Sequence, residues 1–313
     1  MEIVRTIKKL NTTKKTAVAV GYFDGMHIGH QELIHQMTEY ARSNDLVSAI
    51  LTFDMHALRP EGKGKQDLFS REYTMFLAEK AGVEIYADLP FENIRDLEPD
   101  QFACRVLGEQ FLHADAIFCG NDFRYGKDRI GTIKNLRIEG ESVDFSVHAI
   151  EEVALNGVAV STTKIKELMK DGNVREANQM LGKPYSIYGE VVHGNHLAYS
   201  MGFPTANILM PDNILTPKRG VYLTETLYNG EKYLSITNIG TRPTITADIK
   251  TTAETHILDF DRMIYGKNIC VRFYDFIRSE QKFDSIEQLE KIVKENIALA
   301  RNIGNQIGCN KKN

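Results

Sequence analysis

The sequence predicts two joined folds: an α/β half built on a parallel sheet with helices on both faces, then an antiparallel β half closed by a terminal helix. Three observations carry this reading. Up to about Gly182, apolar runs alternate with amphipathic helical stretches, the pattern of a parallel sheet covered on both sides. Beyond Pro184, short strand-like runs follow one another with turns and no helices between them, which points to an antiparallel barrel or sandwich. The 313 residues also suit two domains of roughly 100–200 residues each.

In the first half, residues 17–23, 47–53, 83–89 and 114–119 are apolar runs too short for helices and bounded by Gly or polar residues, so they read as buried strands. Residues 31–42 put Leu33, Ile34, Met37 and Ala41 on one helical face, and residues 70–81 and 99–113 share that spacing. Helices over 161–170 and 173–181 close this half. Asn173 and Glu176 stand at capping-box spacing, and Gly182 stands where a helix stops. The hinge is expected at Gly182-Lys183-Pro184, giving domains 1–183 and 184–313. Strands are then expected over 185–193, 220–228, 232–239, 254–259 and 268–277, separated by turns such as Asn229-Gly230 and Tyr265-Gly266. Ser285 and Gln288 fit a capping box for the last helix, with Ile286, Leu289, Ile292, Val293 and Ile297 as its apolar stripe.

Charge and composition narrow the function classes. Lys and Arg number 38 against 42 Asp and Glu, for a net charge of −4, so no chain-wide basic surface for nucleic acid is expected. The four cysteines, Cys104, Cys119, Cys270 and Cys309, form no CxxC pair, which argues for reduced thiols and a cytoplasmic protein. No apolar run approaches the roughly 18 residues of a membrane span. Residues 1–15 are basic but have no apolar core of the kind a secretory signal needs. A monomer or weak homo-oligomer is expected.

Four stretches carry chemistry. Gly21-Tyr22-Phe23-Asp24-Gly25-Met26-His27-Ile28-Gly29-His30 is a glycine-rich turn opening a helix, which aims backbone N–H groups and the positive helix end at one point. Gly25 and Gly29 allow close approach of a ligand. His27 and His30 project to one side and suit a polyphosphate whose charge grows during reaction. The plainer reading, two histidines capping a helix, is weakened by the glycines and the buried strand before them. Gly120-Asn121-Asp122-Phe123-Arg124-Tyr125-Gly126 follows a strand, where ligands sit in open α/β sheets. Asp122 or Arg124 suits a nucleotide or second substrate there, and an ordinary polar turn explains the stretch equally well. Ser161, Thr162 and Thr163, followed by Lys164 and Lys166, make either an anion site or a routine helix cap. In Gly202-Phe203-Pro204-Thr205-Ala206-Asn207, the Thr205 hydroxyl and Asn207 carbonyl can face one ion from an extended chain, and such hard oxygens beside nucleotide phosphates suit Mg²⁺. Alone, the tetrapeptide Pro204-Thr205-Ala206-Asn207 is more often a turn.

In this order, the HxGH motif, the GxDFRxG turn and the Ser-Thr-Thr helix start resemble the FAD synthetase (FMN adenylyltransferase) module of bacterial bifunctional riboflavin kinase/FAD synthetases. That module has a Rossmann-like nucleotidyltransferase fold. Gly172-Asn173-Val174 and residues 177–185 match the family's link between modules. The series Gly189 to Gly194, Gly202 to Asn207, Gly220-Val221-Tyr222, Asn238 to Thr244, Glu254 to Leu258, Tyr265-Gly266-Lys267 and Arg278 to Phe283 is similar to its riboflavin kinase module, a six-stranded antiparallel barrel with a C-terminal helix.

The resemblance implies two reactions: riboflavin and ATP to FMN, then FMN and ATP to FAD and pyrophosphate. It implies His27 and His30 as catalytic in adenylyl transfer, with Gly21, Phe23, Asp24, Gly25, Gly29, Asp122, Ser161, Thr162, Thr163 and Lys164 binding ATP. It implies Glu254 as the general base of the kinase and Thr205 and Asn207 as holders of Mg²⁺ and phosphates. Gly194, Gly202, Pro204, Tyr222, Asn238, Arg242 and Arg278 would bind ATP or flavin. The chain departs from the family pattern at Tyr22 (commonly Asn), at Lys164 and Lys166 (commonly Arg), at Met55-His56-Ala57, and at Ala198-Tyr199 (commonly Gly-Arg). Two other readings stay open at this point: a single-activity descendant, and a flavin- or nucleotide-sensing protein without turnover.

Overall fold

The computed structural model describes residues 1–54, 66–194, 203–243, 249–281 and 285–307. The chain packs as two compact units, one of Met1–Lys65 and Ser70–Ser161, the other of Gln66–Phe69 and Thr162–Asn313.

The first unit runs β1 (Glu2–Val4), β2 (Thr16–Val20), α1 (Ile28–Ser43), β3 (Val47–Asp54), α2 (Arg71–Lys80), β4 (Ile85–Pro90), α3 (Pro99–Phe102), β5 (Ala114–Gly120), α4 (Ile133–Val143), β6 (Ser146–Ile150) and a ribbon of β7 (Ala154–Leu155) and β8 (Val158–Ala159). The first six strands form one sheet in the order β1-β4-β3-β2-β5-β6, and every pairing is parallel. Strand β2 is buried throughout, because its two faces feed two cores. Ala17 and Ala19 join Leu33, Ile34, Met37 and Ala41 of α1 and Ala78 of α2. Val18 and Val20 join Phe102 of α3, Leu136 of α4 and the segment around Val106 and Leu107. This is the doubly covered parallel sheet that the uninterrupted apolar runs predicted.

The helix expected over 99–113 is much shorter. After α3 the chain takes one wider π-type turn over Ala103–Leu107 and stops at Gly108. A Cβ on Gly108 would stand 2.5 Å from the Cys104 carbonyl oxygen and 2.8 Å from Val143. Tight packing of Gly108 on the end of α4 therefore accompanies the end of the helix there, although the apolar spacing runs on.

The second unit runs α5 (Thr162–Asp171), α6 (Val174–Leu181), β9 (Tyr185–Glu190), β10 (Ala206–Leu209), β11 (Gly220–Tyr228), β12 (Glu231–Pro243), β13 (Ile249–Ile257), β14 (Asn268–Ser279) and α7 (Ile286–Ile307). Its strands pair antiparallel in the order β10-β13-β12-β11-β14-β9. Just beyond β9, Val192 bridges Asn207 of β10, its N–H donating to the Asn207 carbonyl at 2.8 Å. This joins the two edges into a nearly closed barrel. Gly189 lets β9 lie against β10, since a Cβ there would meet Ile208 at 2.5 Å.

The barrel interior carries a ladder of fully buried hydroxyls. Thr224 bonds Ser235 at 2.8 Å and Thr237 at 2.9 Å, Thr226 bonds Ser235 at 2.9 Å, and Thr237 bonds Thr255 at 2.9 Å. Each such bond is worth about 1 kcal/mol net, whereas an orphaned buried hydroxyl costs about 1–3 kcal/mol. The ladder thus penalises a slip of register more than it rewards the correct one. On the outer face, Val221, Leu223, Leu234 and Ile236 pack with Ile297, Ala300 and Ile303 of α7. Ile286, expected in the α7 stripe, is exposed at the start of that helix. Ser285 does accept the Gln288 N–H, at 3.3 Å.

Gly182 ends α6 at φ 67°, as predicted, but Asn173 makes no capping side-chain hydrogen bond. Asn178 ties α6 to the barrel instead, accepting the Tyr185 N–H at 2.7 Å and donating to the Phe273 carbonyl at 2.8 Å. The segment 66–69, which nothing in the sequence singled out, packs in this unit. Asp67 bridges Ile214, and Phe69 stacks on Tyr185 with centroids 5.7 Å apart.

The Lys183 ammonium lies 5.5 Å over the Phe69 ring, and burial pushes it down to about 7 from 10.5. Between those values the unfolded chain binds the extra proton, so this penalty on folding is full below pH 7 and fades as pH rises. Lys183→Met should therefore melt higher than the parent at pH 7, with the gap closing towards pH 9. Thermal unfolding at pH 6, 7, 8 and 9 measures it, and a pH-independent offset would contradict the assignment.

Candidate functional site

In the first unit, the sheet order reverses at β2, which has β3 on one side and β5 on the other. The carboxyl ends of strands at such a switch point border the natural ligand crevice of an open α/β sheet. Both N-terminal motifs lie there: the turn 21–27 leaves β2 and the turn beginning at Gly120 leaves β5. Phe23 and Met26 anchor the first turn in the core at 2 % and 1 % exposure. Gly25 and Met26 take φ of 82° and 44°. The left-handed conformation costs a non-glycine residue about 1–2 kcal/mol. Burying a methionine returns about 1.5–3 kcal/mol, so the turn is held in spite of its strain. Gln31 adds a clamp, donating from Nε2 to the Met26 carbonyl at 2.7 Å.

His27 caps α1. Its backbone is extended, and its Nδ1 accepts the His30 N–H at 3.4 Å. An acceptor Nδ1 places the proton of a neutral imidazole on Nε2, which makes that nitrogen a donor. The two imidazoles stack with centroids 3.7 Å apart, and Phe23 meets His30 edge-on at 5.2 Å. A Cβ on Gly29 would lie 3.3 Å from the His27 ring and 3.9 Å from Val153, so the ring is seated directly on that glycine. Asp24 is buried beside this turn.

On the neighbouring strand, Asp122 folds back towards Gly120, where a Cβ would stand 3.0 Å from its Oδ1. Asp122 and Arg124 are exposed. Buried Tyr125 fixes the turn by donating its hydroxyl to Glu139. Burial pushes the Cys119 thiol at the end of β5 up to about 12, which leaves no thiolate for chemistry. Helix α5 opens at Thr162, next to Ser161, and Lys164 pairs with Glu167 at 3.6 Å.

The barrel gathers the second set by register. Asn207 pairs with Glu254, Glu254 with Asn238, Asn238 with Val221, and Val221 with Arg278. Directly paired residues share a face, their Cβ atoms about 4.5–5.5 Å apart, so the four polar side chains form one rung across five strands. Arg278 reaches this face through a β-bulge. The β11–β14 register shifts between Val221 and Tyr222, where Tyr222 pairs with Phe276. Without the extra residue, Arg278 would share the inward face of Phe276.

Asn207 is 2 % exposed. Its Nδ2 donates to the Thr205 carbonyl at 3.2 Å and hydroxyl at 3.3 Å. Its Oδ1 is buried and has no hydrogen-bond partner among the described residues. The nitrogen end of the amide is therefore the one turned to Thr205, and the buried Oδ1 together with the Thr205 hydroxyl are hard oxygens of the kind that suit Mg²⁺. Gly194 lies flat on that amide, a Cβ there reaching 2.3 Å from Nδ2. His256, to which the sequence reading gave no part, holds the turn. Its ring lies 5.6 Å from Phe203, and its Nδ1 bonds the carbonyl of exposed Pro204 at 2.9 Å.

Tyr222 stands apart from the other sequence candidates. It is fully buried inside the barrel against Phe273 and Phe276, and its hydroxyl donates to the Lys218 carbonyl. Its side chain supports the wall and does not reach the rung. Arg242 lies in β12 opposite Lys250. Gly202, Met55-His56-Ala57 and Ala198-Tyr199 lie outside the described residues.

Comparison with known proteins follows the same division. A family model described as FAD synthetase matches residues 9–164, and one described as riboflavin kinase matches residues 181–304. A Listeria monocytogenes protein named bifunctional riboflavin kinase/FMN adenylyltransferase is 35 % identical over 88 % of this chain and 89 % of its own. An Escherichia coli K12 protein of the same name is 32 % identical over 96 % of this chain and 97 % of its own. A solved Streptococcus pneumoniae structure, described as a macrolide-efflux protein, superposes with a TM-score of 0.85 at 29 % identity, covering 96 % of this chain and 99 % of its own. Among the described residues, no helix of this chain is long and apolar enough to cross a membrane.

Gly29→Ala should press on the His27 ring and Gly194→Ala on the Asn207 amide. Each is expected to slow the reaction of its own site at least about tenfold, since small misplacements of reacting groups are costly, and to leave the other reaction and the melting temperature nearly unchanged. Separate assays of pyrophosphate and ADP release read this out. Parental rates in both variants would show that neither contact matters.

Proposed function

This chain belongs to the bifunctional riboflavin kinase/FMN adenylyltransferase family, and from that premise we propose how its own residues divide the two reactions. The chain phosphorylates riboflavin to FMN with ATP, then adenylylates FMN to FAD with release of pyrophosphate. We assign adenylyl transfer to residues 1–183 and phosphoryl transfer to residues 184–313. The extents of the two family matches support that assignment.

The rung of Asn207, Glu254, Asn238 and Arg278 carries the kinase reading. Riboflavin attacks through a neutral alcohol, so a base is needed. Half-buried Glu254, at the centre of the rung, takes the ribityl hydroxyl proton as that oxygen bonds to the γ-phosphorus of ATP and the bond to ADP breaks. Thr205 and Asn207 would hold Mg²⁺. That ion would neutralise phosphate charge. Gly194 keeps the Asn207 amide in place, Asn238 flanks the base, and Arg278 orients the flavin.

In adenylyl transfer the attacking FMN phosphate is already ionised, so positioning and charge neutralisation replace base catalysis. The new bond forms at the α-phosphorus of ATP, and pyrophosphate leaves. His27, with Nε2 as its donor, and stacked His30 face the triphosphate. Gly21 and Gly25 admit its close approach and Gly29 seats the His27 ring, while Phe23 and Asp24 brace the turn. Asp122, Ser161, Thr162, Thr163 and Lys164 are assigned to ATP binding on the family resemblance. Lys at 164 supplies a point charge where Arg would supply a fork.

We take the enzyme to be cytoplasmic, a monomer or weak homo-oligomer, and to act without nucleic acid. Free thiols at Cys104, Cys119 and Cys270 and the net charge of −4 favour the first and last of these.

Glu254→Gln should lower the rate of ADP release from riboflavin and ATP by about 10²–10⁴-fold and spare FAD formation from supplied FMN. His27→Ala should lower FAD formation by about 10²–10³-fold and spare FMN formation. Chromatography of the flavin products separates the cases. Loss of both reactions in either variant, or of neither, would overturn the assignment.

A further inference from the structure

A second carboxylate borders the rung, and neither the motifs nor the two reactions assign it a part. Glu280 follows β14 two residues after Arg278 and is exposed. Gly240 lies two residues beyond Asn238 in β12, on the same outward face. A Cβ on Gly240 would stand 2.6 Å from Glu280 Oε1 and 3.1 Å from Asn238 Nδ2. The carboxylate therefore occupies the space a side chain at 240 would fill, crossing the end of β11 to reach it, because β11 begins at Gly220 opposite Ile239. The kinase face thus carries two carboxylates, Glu254 and Glu280, and the guanidinium of Arg278, and the absence of a side chain at 240 is what makes room for the second acid.

Resting on the kinase reading of this face, we propose that Glu280 is a specificity-determining residue that admits neutral riboflavin and disfavours FMN. The reaction converts an uncharged hydroxyl into a phosphate bearing roughly two negative charges. That phosphate forms at the oxygen Glu254 deprotonates, on the strand adjoining Asn238. Arg278 by itself would retain such a product through a charge-assisted hydrogen bond. A carboxylate within about one Debye length, ~8 Å at physiological salt, offsets that attraction and hastens release. Riboflavin carries no charge for Glu280 to act on, so the residue separates product from substrate by charge and not by shape.

Initial rates of ADP release isolate the kinase, since adenylyl transfer releases pyrophosphate. The inhibition constant for added FMN and the KM for riboflavin are measured for the parent, Glu280→Gln and Glu280→Asp. The ratio of that inhibition constant to the KM should fall about five- to tenfold in Glu280→Gln, the size expected for one charge at this range. It should stay near the parental value in Glu280→Asp, which keeps the charge. Raising NaCl from about 0.05 to 0.5 M should bring the parent towards the Gln variant, because salt screens exposed charges. A ratio unchanged in Glu280→Gln, or an equal fall in Glu280→Asp, would overturn the proposal. Failure of the underlying reading shows differently: Glu254→Gln would then keep its ADP release with no FMN added.

Discussion

The kinase half depends on one constraint, the register of its antiparallel strands. Side chains alternate faces with a period of two, so a slip of one residue exchanges inside for outside. The hydroxyl ladder through Thr224, Ser235, Thr226, Thr237 and Thr255 links β11, β12 and β13 from within, and a slip would strand several of these groups without partners. Held in that register, the same strands present Asn207, Glu254 and Asn238 side by side on the outer face. The interior thus decides which polar groups meet on the outer face. Closure of the barrel through Val192 and Asn207 brings Gly194 onto the Asn207 amide and fixes which end of that amide faces Thr205.

The first unit solves a similar problem with a different device. Its site does not sit on a strand face, because both faces of the sheet are covered by core. It sits at the carboxyl ends of β2 and β5, where the connections diverge and leave a crevice. The histidines are placed by helix capping, a local interaction, and by seating on Gly29. This division agrees with the chemistry. Attack by an ionised phosphate needs donors and a helix end around a polyphosphate, whereas attack by an alcohol needs a base held beside oxygen ligands.

Much of this was legible from the chain alone. The turn from Gly21 to His30 declares itself because glycine freedom, helix start and imidazole spacing are all local. Strands β2, β3, β4 and β5 declare themselves as apolar runs because both faces are buried. The remainder was hidden for specific reasons. Strand β1 has three residues and β10 has four, too few for any periodicity to emerge. Helix α4 fully buries only Leu136 and Gly140, with Ile133 and Val143 packed partly buried beside them, so its apolar stripe is thin and interrupted by a glycine. The segment 66–69 packs with strands more than a hundred residues away in sequence, and local pattern carries no trace of such a partner.

The sequence by itself determined the two fold classes, the helix ends such as Gly182, and the residue types available to each reaction, because each follows from interactions within a few residues. Tertiary structure alone decided which of those residues meet. Glu254 reads in sequence as an ordinary strand carboxylate until pairing sets it between Asn207 and Asn238. Arg278 reads as inward-facing by alternation from Phe276 until the bulge against β11 turns it outward. Glu280 has no signal beyond its place after Arg278 until the chain end of β14 folds over Gly240. Strand pairing joins residues distant in the chain, and its register is set by the packing of the whole barrel, so no local stretch of sequence contains it.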